Sequence, residues 1–346
     1  MPTVYVGLSG GVDSSVSAAL LKQQGYNVVG VYMKNWTADV AGVACPWKID
    51  LADARAAAAV LDISFKVFDF QDQYREKVVE AMVAEYAAGR TPNPDVLCNQ
   101  EIKFKLFLEL ALADGADYIA TGHYAKTDGN GRLLRAYDDA KDQTYFLYRV
   151  TGEALKRTIF PVGEIEKPEV RRLAATFNLP AATKPDSQGI CFVGEVGIRP
   201  FLEQYIPPVS GHIIDKAGHV VGTHSGAAYY TIGQRQGLGV GGDGPYYVTA
   251  RDVATNTVTI TDNPDDLQLS GDEFKLDDPH WINDTPPPGD YLVRLRHRGE
   301  LVPMSLEDNH NTWSVRLHTS QRAIAAGQSA VIYDGETVLG GGFIAF

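Results

Sequence analysis

The first 125 residues alternate between apolar, β-branched runs and helical patterns, and this alternation limits the possible fold more than any other feature of the sequence. Strands are predicted at residues 3–8, 28–33, 65–70 and 118–121, and helices at 14–24, 49–61, 74–88 and 101–113. Strands that alternate with helices form a parallel sheet with helical crossovers. We therefore predict an α/β fold whose N-terminal domain binds a ligand at the carboxyl ends of its strands.

The second half of the chain has a different pattern. After a predicted helix at 167–178, short β-type runs occur at 211–221, 246–250, 258–261, 291–296, 312–317, 329–333 and 341–346, separated by turn signals such as Asp334-Gly335. This pattern predicts small β-rich units. We expect a catalytic domain over 1–205, a small β-rich central domain over 206–270 and a C-terminal β-barrel over 271–346.

Charge and cysteine content narrow the class of protein. The formal net charge of −12 argues against bulk non-specific binding to nucleic acid, although it allows a local basic face. No apolar run approaches the roughly 20 residues that span a bilayer, and residues 1–10 lack the basic start of a signal peptide. Cys45, Cys98 and Cys191 are too few and too far apart for a disulfide framework. These features predict a cytoplasmic protein with reduced thiols and no membrane partner.

Residues 9–15 read SGGVDSS and join the first predicted strand to the first predicted helix. Two glycines, several hydroxyls and a helix N-terminus together favour an anion site. The alternative is an ordinary turn whose serines cap the helix. The segment lacks the Gly-Lys-Ser/Thr of a Walker A loop. It resembles the pyrophosphate loop of the ATP-pyrophosphatase superfamily, which implies adenylation of a substrate oxygen. Asp13 is then a hypothetical Mg²⁺ or phosphate-side residue.

Two of the three cysteines lie in polar, turn-forming surroundings. Cys98 follows two prolines and precedes the predicted helix at 101–113, where the helix start, Lys103 and Lys105 would favour the thiolate. Cys191 lies in a loop-like, glycine-bounded segment. The alternative for each is a buried structural cysteine. Cys45 has no His or carboxylate nearby in the sequence, and we interpret it as incidental to the chemistry. No Cys-x-x-Cys pair predicts zinc.

Several motifs occur in a fixed order along the chain. They are GLSGGVDSS at 7–15, GRTPNPDVLCN at 89–99, ATGHY at 120–124, KDQTYFL at 141–147, KPDSQGICF at 184–192, GTH at 222–224 and YTIGQRQGLG at 230–239. Over essentially its whole length the chain resembles the bacterial tRNA-specific 2-thiouridylase (MnmA) family. The resemblance implies an adenine nucleotide α-hydrolase-like N-terminal fold. It also implies ATP-dependent 2-thiolation of the wobble uridine in tRNAs of the Lys, Glu and Gln type.

The resemblance also implies roles for individual residues. Cys191 would carry sulfur as a persulfide and Cys98 would be the nucleophile, so that the two finish as a transient disulfide. Asn93, Pro94 and Asp95 would contact the target base, with Asp95 a candidate acid or base. The residues implied in ATP binding are Gly7, Leu8, Ser9, Gly10, Gly11, Val12, Asp13, Ser14, Met33 and Gly122. Those implied in tRNA binding are His123, Lys141, Asp142, Gln143, Arg296, His297 and Gln328.

The implied cofactors are ATP and Mg²⁺, and the implied partners are tRNA and a sulfur-donor protein, either a cysteine desulfurase or a relay protein. Residues 294–298, RLRHR, independently predict a phosphate-binding stripe, against the alternative of a solvated strand. His297 and Gly299 replace the Tyr and Gln of many family members. Two other readings of the chain stay open: another adenylating enzyme of the superfamily, or a nucleotide-binding redox switch.

Overall fold

The computed structural model describes residues 1–40, 42–186, 197–241, 244–266, 270–310 and 312–346. Its strands are β1 (Thr3–Gly7), β2 (Asn27–Lys34), β3 (Ser64–Asp69), β4 (Tyr118–Ala120), β5 (Lys126–Thr127), β6 (Leu133–Leu134), β7 (Thr158–Ile159), β8 (Gly211–Ile214), β9 (Val220–His224), β10 (Tyr247–Asp252), β11 (Thr257–Thr261), β12 (Ser270–Trp281), β13 (Gly289–Arg294), β14 (Val302–Asp308), β15 (Trp313–Arg322), β16 (Ser329–Asp334) and β17 (Thr337–Ala345). Its α-helices are α1 (Val12–Gln23), α2 (Trp47–Val60), α3 (Gln71–Tyr74), α4 (Ala81–Ala87), α5 (Pro94–Leu97), α6 (Phe107–Ala113), α7 (Gly152–Leu155), α8 (Lys167–Thr176) and α9 (Ile198–Leu202). π-Helical segments, Arg75–Glu80 and Cys98–Leu106, join α3 to α4 and α5 to α6.

Five of these strands form the N-terminal sheet in the order β3-β2-β1-β4-β7, with parallel pairing throughout. The central strand β1 is buried on both faces, as its continuous apolar run requires. Strands β2 and β3 lie on one side of β1, and β4 and β7 lie on the other. The strand order therefore reverses at β1. A crevice at the carboxyl ends of β1 and β4 is where open parallel sheets place ligands. The predicted fold class is confirmed.

The helix that carries Cys98 begins earlier than the sequence predicts. It runs without interruption from Pro94 to Ala113 through α5, the π-helical segment and α6. Asn93 caps it by accepting a hydrogen bond from the Asp95 amide at 3.1 Å, and proline occupies the first helical position. The expectation that Cys98 lies at a helix start is therefore wrong, because Cys98 is in the second turn.

The C-terminal half is built from two β units, as predicted. A four-stranded sheet has the order β10-β11-β8-β9. Strands β12, β15, β14, β13, β16 and β17 pair in that order, and β17 pairs back with β12, which closes a barrel. The β5–β6 hairpin from the N-terminal half adds to β17 through Leu133 and Leu134. No helix in the described part of the chain is long and apolar enough to cross a membrane.

Several β elements differ from the sequence-based expectation, among them the short strands β5, β6 and β7, which were not among the predicted strands. The run predicted at 211–221 is the hairpin β8–β9, because Asp215 accepts hydrogen bonds from the amides of Ala217 and His219 and closes a turn. Strands β12 and β14 were not predicted. In β12 only Phe274 and Leu276 are buried among exposed or partly exposed residues, so the strand has little apolar periodicity.

Candidate active site

The glycine-rich loop lies at the carboxyl end of β1 and leads directly into α1. The Ser14 and Ser15 hydroxyls donate to the Gly11 carbonyl oxygen at 3.1 and 2.9 Å, and Ser9 Oγ lies 3.2 Å from Ser14 Oγ. Within the described residues, no side chain caps α1 at its cap position. The first-turn amides of this 12-residue helix therefore remain available to an anion, which favours the phosphate site over the capping alternative.

Two glycines let other segments approach this loop closely. A Cβ on Gly122, just after β4, would lie 2.6 Å from the Ser14 backbone nitrogen. Gly10 has a φ of +78°, and a Cβ there would lie 2.6 Å from the Asp50 carbonyl oxygen. A Cβ on Gly7 would lie 2.9 Å from Met33 Cε. The structure thus brings together the residues that the sequence predicts for ATP binding, and it forms a cradle that side chains would fill.

A single ammonium joins the loop to the segment that precedes Cys191. Lys167 Nζ donates to both carboxylate oxygens of Asp13, at 2.6 and 2.8 Å, and lies 2.8 Å from Asp186 Oδ1. Tyr124 also donates to Asp13, at 3.0 Å. Burial, followed by the Asp13 charge, raises the pKa of Tyr124 above its usual range. The phenol therefore stays protonated and acts as a donor.

Asp186 is the most strongly paired carboxylate of this network. It accepts hydrogen bonds from Lys141 at 2.8 Å and from Arg171 at 2.5 Å, besides its contact with Lys167. Burial alone would raise its pKa, but the hydrogen bonds from Lys141 and Lys167 outweigh burial and hold the pKa below its usual range. Asp186 is therefore ionised at neutral pH, and its three cationic partners hold the segment that ends at this residue.

A protein-built magnesium site finds little support in the donor set. In the ranges that the structure describes, no group of three or more His, Cys, Asp or Glu side chains could hold a metal ion. Asp13, the hypothetical Mg²⁺ ligand, directs both oxygens at Lys167. Asp13 could therefore contact a Mg²⁺ ion carried by ATP only if Lys167 released its carboxylate.

Cys98 and Asp95 lie on the same helix, in its second and first turns. Cys98 is buried, with 1% of its surface exposed. Burial raises the pKa of Asp95, and the Lys103 charge opposes this shift. Lys103 Nζ in turn lies 3.5 Å from His123 Nε2, and His123 follows Gly122 directly. The Cys98 helix is thus connected to the glycine-rich loop through Lys103 and His123.

Cys191 lies outside the described residues, so its role and the predicted disulfide with Cys98 stay predictions. Cys45 is partly buried, its Sγ lies 3.7 Å from the Trp36 carbonyl oxygen, and burial raises the pKa of its thiol. A raised pKa reduces the thiolate fraction, which agrees with the interpretation of Cys45 as incidental.

The residues predicted to contact tRNA differ in their surroundings. His123 packs against Phe104 and Phe160, its Nδ1 lies 2.8 Å from Thr121 Oγ1, and burial lowers its pKa well below the usual value. Gln143 accepts a hydrogen bond from the Tyr124 amide at 2.9 Å. Both side chains are already engaged within the protein, and their contacts with tRNA stay predictions.

Asp142 forms a buried ion pair between the N-terminal half and the barrel. One carboxylate oxygen accepts from the Thr144 amide and hydroxyl at 2.8 and 2.7 Å, and the other from Arg294 at 3.0 Å. Asp142 is 1% exposed and Arg294 is 5% exposed. Arg294 therefore points inward, so the expectation that it belongs to an exposed basic stripe is wrong. The pair holds β13 against residues 141–143.

Two arginines remain exposed after β13, Arg296 and Arg298. Between them His297 stacks on Phe146 with ring centroids 4.4 Å apart, and its Nδ1 is buried without a hydrogen-bond partner. Burial, followed by the charge of Arg298, lowers the pKa of His297. Gln328 is partly buried and its backbone pairs with Ile344 and Ala325. The exposed part of the predicted stripe is thus a short loop with two cations.

The sequence analysis missed Lys167 and Arg251 as residues of the site. Lys167 is 154 residues from Asp13, and Arg251 is 160 residues from Thr91, whose hydroxyl accepts its hydrogen bond at 2.9 Å. Lys167 opens a helix whose first turn also contains Pro168. A lysine in this position is a common surface residue, and no local signal distinguishes it.

Comparison with known proteins decides the family. Three domain models match the chain: a "tRNA methyl transferase HUP domain" over residues 2–195, a "tRNA methyl transferase PRC-barrel domain" over 199–262 and an "Aminomethyltransferase beta-barrel domain" over 271–344. The tRNA-specific 2-thiouridylase MnmA of Nitrosomonas eutropha is 47% identical over 352 residues, covering 99% of this chain and 98% of that protein. The chain belongs to the tRNA-specific 2-thiouridylase family. The family protein of Neisseria meningitidis serogroup A is 48% identical over 347 residues, covering 99% of this chain and 95% of that one.

The chain also resembles solved structures at low sequence identity. A 4-thiouridine synthetase in complex with RNA and bound ATP matches with a TM-score of 0.39 and 14% identity, covering 60% of this chain and 50% of that one. Similarity at this level supports no statement about function.

Proposed function

We propose that this chain catalyses ATP-dependent 2-thiolation of the wobble uridine in tRNAs of the Lys, Glu and Gln type. Membership of the 2-thiouridylase family over 99% of the chain makes it a tRNA-uridine 2-sulfurtransferase. The observation that carries the finer proposal is the cradle formed by the glycine-rich loop, the uncapped start of α1 and Gly122. Such a cradle suits the phosphates of ATP.

The first half-reaction activates the uracil C2 oxygen. An oxygen of this kind is a poor leaving group, whereas AMP is a good one. The C2 oxygen attacks the α-phosphate of ATP, pyrophosphate leaves, and the base becomes adenylated. Amides at the start of α1 stabilise the phosphate charge, and Lys167 lies beside them as a cation. Magnesium carried on the phosphates supplies further charge neutralisation.

The second half-reaction replaces oxygen with sulfur. The Cys98 thiolate attacks the inner sulfur of a Cys191 persulfide, which breaks the S–S bond of the persulfide and releases sulfide. Sulfide then attacks C2, and AMP leaves with the original oxygen. The alternative that the resemblance leaves open is attack by Cys98 on the adenylated base. In the first route the two cysteines end as a disulfide, which an external dithiol must reduce before the next turnover.

Asp95 is the proposed proton donor in this exchange. Its carboxyl is largely buried one turn before Cys98, and burial raises its pKa. A carboxyl with a raised pKa holds its proton closer to neutral pH and can donate it to a leaving oxygen. Lys103, which opposes that shift, limits how far the pKa rises.

The test is a reconstitution with ATP, Mg²⁺, sulfide and unmodified tRNA, followed by electrophoresis in a mercury gel together with measurement of AMP. Wild type, Cys98→Ser and Cys191→Ser are compared with Cys45→Ser as the matched control. We expect a retarded tRNA band and AMP from wild type and Cys45→Ser. Because free sulfide bypasses both the persulfide and its release by Cys98, Cys98→Ser and Cys191→Ser are judged with a cysteine desulfurase as the donor, and neither should then give a band.

Two other results would contradict the proposal. AMP without a retarded band would indicate another adenylating enzyme of the superfamily. ATP binding with neither AMP nor band would indicate a nucleotide-binding module, and a Cys98–Cys191 disulfide that forms without ATP or tRNA would make that module a redox switch.

A further inference from the structure

The segment that leads into the Cys98 helix is held by both β units. This segment, residues 89–93, begins two residues after the end of α4. It reaches the helix cap at Asn93. Thr91 in its middle is 7% exposed. Its side chain and its amide contact different domains, and we call residues 89–93 the approach segment.

Arg251 of β10 contacts the approach segment from the central domain. Its Nη2 donates to the Gly89 carbonyl oxygen at 2.8 Å and to Thr91 Oγ1 at 2.9 Å. Its Nη1 donates to the carbonyl oxygens of Tyr230 and Ala228. One guanidinium thus joins a single backbone segment of the central domain, residues 228–230, to two positions of the approach segment.

The chemistry of this contact is unusual for an arginine. Among the described residues, no carboxylate lies within ion-pair distance of Arg251. All four hydrogen bonds go to neutral oxygens, and burial lowers the pKa of the guanidinium. Burying a charge without a counter-ion costs free energy. The planar fork of five donors, which lysine lacks, is what lets one side chain hold several oxygens at once.

The barrel holds the same segment from another side. The Thr91 amide donates to the Ala326 carbonyl oxygen at 3.0 Å. The next residue, Gly327, has a φ of +87°, and a Cβ there would lie 2.9 Å from the Thr91 nitrogen and 2.7 Å from Arg90 Cβ. The approach segment therefore has little room to move toward the barrel, while Arg251 fixes it to the central domain.

The approach segment is also stiff between Thr91 and the helix. Pro92 and Pro94 have a fixed φ, so a displacement at Thr91 is passed on to Asp95 instead of being absorbed by the backbone. Asp95 and Cys98 are four and seven residues after Thr91. The position of this short segment sets where both reactive side chains lie.

We propose that Arg251 is a positioning residue for sulfur transfer, which holds the approach segment so that Asp95 and Cys98 stay aligned with the activated base. The proposal rests on the proposed function of Cys98. Arg251 touches neither substrate nor reacting atom in this role. Its loss should therefore lower the turnover number and make Cys98 more reactive toward a thiol label. Nucleotide binding at the glycine-rich loop should stay unchanged.

The experiment compares Arg251→Met and Arg251→Lys with Arg199→Met. Arg199 donates to Ser225 Oγ at 2.5 Å, so it anchors the same central domain without touching the approach segment. Thiolation kcat, the KM for tRNA and the Kd for ATP are measured for each variant. Labelling of Cys98 by iodoacetamide is followed by peptide mass spectrometry, with the partly exposed Cys45 as the internal reference.

For Arg251→Met we expect kcat to fall about tenfold or more, since a misplacement of about 1 Å can cost about a hundredfold. The Kd for ATP stays within about twofold of wild type, and Cys98 labels about fivefold faster through local opening. Arg251→Lys keeps the charge and one contact, so both effects should be intermediate. Arg199→Met should match wild type in kcat and in Cys98 labelling.

The proposal is wrong if both Arg251 variants match Arg199→Met in kcat and labelling, or if the Kd for ATP rises in parallel with the fall in kcat. Should Arg251→Met fail to fold, Arg251→Lys alone decides on the same criteria. Failure of the proposed function would look different. Wild type would then form no thiolated tRNA, while the labelling of Cys98 would still separate the Arg251 variants from the control.

Discussion

At Gly122 another backbone segment lies close to the glycine-rich loop, and replacing this glycine with alanine should weaken ATP binding. The new Cβ would lie 2.6 Å from the Ser14 nitrogen and 2.8 Å from the Asp13 carbonyl carbon, both of which are backbone atoms. Restoring an ordinary contact of 3.4 Å requires a shift of about 0.8 Å. Gly122 has no positive φ, so this steric contact is the whole effect.

The expected magnitude follows from that displacement. Overpacking of this kind costs about 1–3 kcal/mol of the free energy of unfolding. A shift of 0.8 Å at the start of α1 stretches any amide–phosphate hydrogen bond beyond its useful range. Losing one charged hydrogen bond costs about 1.5–3 kcal/mol, or about a 10- to 100-fold rise in the Kd for ATP.

Calorimetric titration with ATP measures the Kd, and thermal melts with and without ATP measure stability. Gly289→Ala is the matched control, because its nearest contact is the Tyr291 ring at 3.7 Å and its φ is not positive. We expect Gly122→Ala to melt several degrees below Gly289→Ala and to gain less from added ATP. If Gly122→Ala binds ATP with the wild-type Kd, the cradle is not the nucleotide site.

Three further predictions concern the ion pairs and the barrel turn. Because the pKa of Asp186 is lowered by folding, its ionised form stabilises the protein above the ordinary pKa of about 3.9 and this contribution is lost as pH falls. In urea unfolding, the stability advantage of wild type over Asp186→Asn should shrink by about 1 kcal/mol between pH 5 and pH 3, and a constant advantage would contradict this. Arg294→Met should cost about 3 kcal/mol, because the buried Asp142 loses its closest ion-pair partner and keeps only Arg135 Nε at 3.6 Å, and the added change Asp142→Asn should restore part of that loss. Gly327→Ala should lower thiolation more than Gly335→Ala, because both glycines have a positive φ but only the first has neighbours within contact distance, so equal activities would exclude a role for the barrel turn.

The N-terminal sheet could be predicted because its strands and helices follow local patterns. Each strand is a short apolar run, and the helices between them end at turn residues such as Gly25, Gly89 and Gly115. The glycine-rich loop was predicted for the same reason, since its residues are consecutive. The start of the Cys98 helix was not predicted correctly from the sequence. The two prolines were interpreted as a stiff approach, whereas Asn93 and Pro94 are the cap and the first helical residue.

Interactions between distant segments could not be predicted from patterns. Arg294 was expected in a basic stripe because it clusters with Arg296, His297 and Arg298 in the sequence, yet the Asp142 carboxylate, 152 residues away, turns it inward. Strand β14 contains Pro303 and strand β12 has few inward apolar residues, so tertiary pairing and not local propensity makes them strands. The roles implied for Cys98 and for the tRNA-contacting residues outside the basic cluster at 294–298 came from the resemblance alone.

The pairing of β6 with β17 affects how the protein is made on the ribosome. Leu133 is fully buried, and its strand partner Val338 is synthesised 205 residues later. The Arg135 amide likewise waits for the Glu336 carbonyl oxygen. A two-stranded hairpin is at best marginally stable by itself, so β5 and β6 stay incomplete while the central domain and most of the barrel emerge. We therefore expect a nascent chain that stalls before residue 337 to leave Leu133 uncovered, so that the catalytic half completes its packing only after β17 has been made.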